Sequence, residues 1–103
     1  MRVKDRFIGF EWDEANIRKS YFKHGITPKE SEEVFLDSKL QIIPDAKHSL
    51  VESRFIAVGK TLEGKSLFVA FCIRRKKIRV ISARRMHGKE VKKYEKIRKN
   101  KKV

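Results

Sequence analysis

The chain has 103 residues, 40% apolar and 39% charged, and its 27 Lys and Arg outweigh 13 Asp and Glu to leave a net charge of +14. That length holds one domain, and seven phenylalanines within periodic apolar runs set it apart from a disordered polycation. A single cysteine, Cys72, excludes an internal disulfide and a cysteine-only metal site; with no signal-peptide pattern and no stretch long enough to span a bilayer, the cytoplasm is the expected location.

Residues 7–12 are aromatic and β-branched and predict a short strand. Asp13 then caps a helix over 14–24, with Ile17, Tyr21 and Phe22 on its apolar side and Gly25 as its stop. Thr27-Pro28-Lys29-Glu30 has a capping hydroxyl, a proline at the first helical position and a glutamate placed to reach back to the cap amide. It predicts a second helix over 28–37 that turns Val34 and Phe35 inward. Residues 40–43 read as a strand stopped by Pro44, and 45–49 as a loop.

Three further strands, 54–60, 66–74 and 77–84, follow with connections short enough to make them antiparallel neighbours. Residues 67–73 are apolar throughout, as in a strand covered on both faces. Val91, Tyr94 and Ile97 or Arg98 share a face of a third helix over 88–99, whose lysines point outward. The expected architecture is therefore α+β: one domain over 1–103, an antiparallel sheet of about five strands, two N-terminal helices and one C-terminal helix.

Charge is distributed unevenly along this frame. From Arg74 onward fifteen cations face only Glu90 and Glu95, so this segment holds +13 of the +14. Repulsion concentrated in this way points to a polyanionic partner. Within the strand over 77–84, strict alternation sets Ile78, Val80 and Ser82 on one face and Arg79, Ile81 and Ala83 on the other, with Arg84 emerging at the end. The cations are expected to gather on one side of the folded body.

Several segments in order resemble the BrnT-type toxins of type II toxin–antitoxin modules. They are Phe10-Glu11-Trp12-Asp13, Lys23-His24-Gly25-Ile26, Glu33-Val34-Phe35, the run from Arg54 through Gly59, the run from Ile78 through Arg84, and the Glu90 to Tyr94 spacing. The resemblance implies a RelE-like fold and a ribonuclease activity that inhibits translation. It also implies an acidic BrnA-type antitoxin that neutralises the toxin, binds operator DNA on behalf of the pair, and assembles with a toxin homodimer into a tetramer. At the end of the fourth strand the family commonly carries a threonine, a glutamate and an arginine; here the residues are Cys72-Ile73-Arg74, without the carboxylate.

No metal-protease helix, cysteine–histidine spacing, phosphate-cradling glycine loop or paired acidic cluster is present, so neither metal nor cofactor is expected. RNA cleavage would then proceed by attack of the ribose 2′-hydroxyl on its own phosphate, which needs a positioned strand, cations on the phosphorane and two proton transfers. Arg79 and Arg84 are the first candidates for the phosphate, because a guanidinium fork stays charged and holds two oxygens. The competing reading makes them solvated strand-end charges or contacts to antitoxin carboxylates. His24 and His87 are the candidate proton carriers, set against plain roles in ending one helix and beginning another. Tyr94 could donate to a phosphate, though its place on the apolar face of the third helix favours packing; Trp12 is more readily a core residue or a dimer contact than a base-stacking platform. Lys23, Arg54, Arg85, Lys89, Lys92 and Lys93 are assigned to the RNA backbone, messenger RNA on or off the ribosome included. Two other readings stay open: a nucleic-acid-binding protein without catalysis, and a corepressor within a toxin–antitoxin complex.

Overall fold

The side chain of Asp13 starts the first helix, its Oδ1 accepting the amides of Ala15 at 2.9 Å and Asn16 at 3.2 Å. In this computed structural model, which describes residues 9–48 and 52–100, the strand before that cap is β1 (Gly9–Trp12) and the helix is α1 (Glu14–His24). Gly25 ends α1 at a φ of +68°, its amide donating to the Tyr21 carbonyl at 2.8 Å. Thr27 and Glu30 form the expected reciprocal pair, with Thr27 N–H on Glu30 Oε1 at 3.0 Å and Glu30 N–H on Thr27 Oγ1 at 3.2 Å. They open α2 (Pro28–Val34), which stops three residues short of the expected boundary. There Phe35, Leu36 and Asp37 tighten the chain by bonding to carbonyls three residues back.

Next come β2 (Gln41–Pro44), a 3-10 turn (Ala46–His48), β3 (Arg54–Lys60), β4 (Ser66–Arg74), β5 (Lys77–Arg85) and α3 (Gly88–Asn100). Pro44 is the last residue of β2 rather than its stop, which an edge strand tolerates. Phe7, Ile8 and Ser49 lie outside the described residues.

The five strands form one sheet in the order β1-β5-β4-β3-β2. It is mixed and not wholly antiparallel, because β1 runs parallel to β5 with Phe10 opposite Ile78 and Trp12 opposite Val80. Only consecutive strands joined by tight turns must be antiparallel; β1 reaches β5 from the far end of the chain and is free of that constraint.

One face of the sheet packs under Ile26, Val34 and Phe35, with Ala57, Leu67, Val69, Phe71, Ile78, Val80 and Ala83 beneath them. The other is covered in part by α3, which buries Tyr94 against Val58 and Met86 with Val91 and Phe68 alongside. Of the two candidates for the last inward position of α3, Arg98 is partly buried while Ile97 is exposed. Trp12 packs against the first cluster and donates its indole N–H to Glu32 at 2.9 Å, which ties β1 to α2.

Strict alternation fails in β5. Ala70 and Phe71 are consecutive on β4, yet their partners are Ser82 and Val80, so Ile81 is an extra residue, a β-bulge. Ile78, Val80 and Ala83 consequently all point into the same core. Arg79 and Arg84, five apart, would face opposite ways on a regular strand; the bulge turns both to the face that carries α3.

Candidate functional site

On that face the register places Ile43, Ile56, Ala70 and Ser82 side by side across β2, β3, β4 and β5. Phe68 and Arg84 form the neighbouring row toward α3. These residues, with Ala83 and with His24 from the end of α1, line a groove of about 320 Å³. Its floor is apolar and its rim holds an imidazole, a hydroxyl and a guanidinium. His24 reaches the rim because α1 packs along β5, so the helix end comes to the strand segment just past the bulge.

Arg84 is held firmly there. Its Nη1 and Nη2 each donate to one oxygen of Glu90 at 2.9 Å, Nη1 also donates to the Arg85 carbonyl at 3.1 Å, and the guanidinium lies 4.7 Å from the Phe68 ring centroid. Glu90 in turn accepts the His87 amide at 2.8 Å. The Arg84 fork and that amide hold the Glu90 carboxyl down to about 2, and Glu90 raises the Arg84 pKa further.

Arg79 shares the face but does not line the groove. It sits a row away, opposite Cys72, with Nη1 on Glu11 at 3.3 Å and Nη2 on Asp13 at 3.2 Å. Asp13 therefore caps α1 with one oxygen and holds β5 with the other. Arg54 lies opposite Cys72 on the β3 side of the same row. Ile73, the residue after Cys72, is exposed and brings no carboxylate, but Glu52 brings one nearby from the segment before β3, pairing with Arg74 Nε at 2.9 Å. Cys72 is buried beside Glu52, and burial first, then the hydrogen bond to Glu52, pushes its thiol up to about 11. Such a thiol is not a nucleophile.

The remaining candidates are dispersed. His87 is exposed and begins α3, its carbonyl accepting the Val91 amide at 2.9 Å. Tyr94 is buried under α3 and its hydroxyl accepts Arg98 Nη1 at 2.8 Å; burial raises its pKa against the opposing effect of Arg98. Lys23, Arg85, Lys89, Lys92 and Lys93 are exposed, Lys23 at the end of α1, Arg85 at the end of β5 and the others on α3. The structure thus brings Arg84 and His24 together and leaves Arg79, His87 and Tyr94 outside the groove. Reasoning from sequence missed Ser82, Phe68, Ala70, Ile56 and Ile43, whose meeting depends on register, and missed Glu90 as the partner that fixes Arg84. Among the described residues no three His, Cys, Asp or Glu side chains are grouped as metal ligands, and no helix is long and apolar enough to cross a membrane.

The family described as "Ribonuclease toxin, BrnT, of type II toxin-antitoxin system" matches residues 12–90. This chain belongs to the BrnT family. The crystal structure of the Brucella abortus ribonuclease toxin BrnT, determined at 1.1 Å, superposes with a TM-score of 0.63 at 23% identity, covering 78% of this chain and 97% of that one. That likeness establishes the α+β fold of BrnT, with its mixed five-stranded sheet and three helices, for this chain too. No curated protein matches the sequence. As a member of a ribonuclease toxin family of type II systems, the chain has an antitoxin partner and RNA as its expected substrate class.

Proposed function

We propose that this BrnT-family chain is a metal-independent endoribonuclease that inhibits translation in the cytoplasm and is neutralised by an acidic BrnA-type antitoxin. The antitoxin would carry the operator-binding module, with the toxin as a homodimer in the assembled complex. The observation that carries the catalytic reading is the meeting of Arg84 and His24 at one groove with an apolar floor. A nucleobase fits Ile43, Ile56, Phe68 and Ala70, and the adjoining phosphate meets the Arg84 fork, which Glu90 holds at the rim. His24 takes the proton of the 2′-hydroxyl as that oxygen bonds to phosphorus. The bond from phosphorus to the 5′-oxygen breaks, water supplies the proton to the leaving oxygen, and the products are a 2′,3′-cyclic phosphate and a 5′-hydroxyl. Arg79, with Arg54, supports the strand one row further along the same face.

A second reading, RNA binding without cleavage, draws support from the carboxylates already paired with both arginines. One assay separates the two. Antitoxin-free protein incubated with a transcript in EDTA is expected to release fragments with 2′,3′-cyclic ends, and Arg84→Ala or His24→Ala to slow cleavage by about 100-fold or more. Binding at full occupancy with no cyclic ends would give the second reading its place, and unimpaired cleavage by both variants would remove the groove from the chemistry.

A further inference from the structure

At the far end of α3 from the groove lies a second hollow, about 560 Å³, lined by Lys39, Lys92, Glu95, Lys96, Arg98 and Lys99. Five of these six side chains are cations, and none is apolar. One carboxylate builds the hollow. Asp37 accepts the Lys39 amide at 3.0 Å and grips Arg98 through both oxygens, at 2.6 and 2.9 Å, so the turn after α2 and the last turns of α3 are held together. The acidic groups here are engaged as well: Asp37 by Arg98, and Glu95 by Lys60 Nζ at 2.7 Å.

We infer that this hollow is an exosite for the ribose-phosphate backbone of RNA, separate from the groove and joined to it by α3. The inference rests on the reading of the chain as an RNA-acting toxin. Lys92, Lys96 and Lys99 recur at i, i+4 and i+7 and so lie along one side of the helix, over about 10 Å of its axis. A row of ammonium groups over that length can meet neighbouring phosphates of one strand. Lysine ammonium groups are mobile point charges suited to a backbone of variable sequence. An acidic protein segment would need an apolar centre to bury, and the lining of this hollow offers none. Glu90 at the start of α3 holds Arg84 at the groove, so a strand leaving the groove along this helix arrives at the hollow. The exosite makes affinity depend on RNA length.

The test uses the full chain and RNA blocked at every 2′-oxygen by methylation, so that binding is measured apart from cleavage. For Lys92→Gln/Lys96→Gln/Lys99→Gln, affinity for a 20-nucleotide strand is expected to fall about tenfold near 0.1 M salt, with the slope of log K against log salt shallower by about two. Affinity for a trinucleotide should stay within about threefold. A slope equal to that of the unsubstituted chain, in a variant with the same melting temperature, overturns the inference. So does a variant that binds RNA normally but loses an acidic partner segment, which would make the hollow a protein contact. Failure of both Arg84→Ala and His24→Ala to alter cleavage would refute the groove and leave this slope unaffected, so the two readings fail separately.

Discussion

Asp37 accepts four hydrogen bonds, from the amides of Lys39 and Lys60 and from both Nη atoms of Arg98. Its side chain is only 4% exposed and that of Arg98 18%, so the pair is largely out of water and its geometry decides its worth. Burial alone would raise the Asp37 carboxyl; Arg98 and the two amides outweigh it and hold the group below the ordinary 3.8. Glu90 is held down to about 2 from an ordinary 4.5. Both pKa values are lower folded than unfolded, so the stability they contribute is present above about pH 4.5 and lost as pH falls toward 2. Replacing Asp37 with Asn should cost about 3 kcal/mol at neutral pH, leaving Arg98 without its counter-charge, and should flatten the acid limb of the stability curve. Denaturant titrations at pH 7, 4 and 2.5 would check this, and an unchanged acid limb would count against the assignment. Nothing in the sequence marks Asp37 as a buried anchor, because apart from the nearby Lys39 amide its partners stand 23 and 61 positions away. Chemistry alone singled out His24 and His87 equally; only the fold separates them, with His24 at the groove and His87 outside it.

At the level of elements, local signals predicted more than long-range ones. The caps at Asp13 and Thr27 and the stop at Gly25 are interactions within a few residues, and the helices they frame begin where the sequence places them. β3 and β4 have the expected bounds because hairpin connections confine them. The parallel pairing of β1 was illegible because β5 is distant in the chain, and the extra residue Ile81 because the pattern of β5 alone does not show where its register against β4 slips. The bulge bears most on the groove: without it Ser82 and Arg84 would face the buried cluster, and the groove would lose its cationic rim. The β4–β5 hairpin carries a separate cost. Arg75 and Lys76 stand at φ of +50° and +64°, left-handed positions that bulky side chains occupy under strain. Exchanging them for Asn and Gly should raise stability by about 1 to 2 kcal/mol with the sheet intact. A thermal melt of that double variant no higher than the parent would show that the turn is unstrained. The choice of two cations there, over residues suited to the turn, accords with a surface selected for charge.

For the molecule as a whole, composition foretold a polyanionic partner, and the fold partitions that charge. Some of the late cations are consumed internally, Arg79 by Glu11 and Asp13, Arg84 by Glu90 and Arg98 by Asp37. Others, on the outer side of α3, form the hollow with Lys39. A count along the chain treats these populations alike; only the packing of α3 on the sheet separates them. The expectation of a single cationic side thus becomes two basins, one at each end of a helix.

Cys72 lies on β4, the middle strand of five, with 1% of its surface exposed. A thiol in that position can meet a reagent only when the whole sheet comes apart. The chain therefore carries its own reporter of global opening. Iodoacetamide at pH 8 should leave the native protein unmodified for hours, and the alkylation rate should climb with urea along the same slope as the unfolding equilibrium. Rapid modification without denaturant would mean that the sheet breathes far more than its packing implies. An oxidising environment would likewise spare this thiol for as long as the protein stays folded, so redox stress has no direct handle on the toxin through its one sulfhydryl.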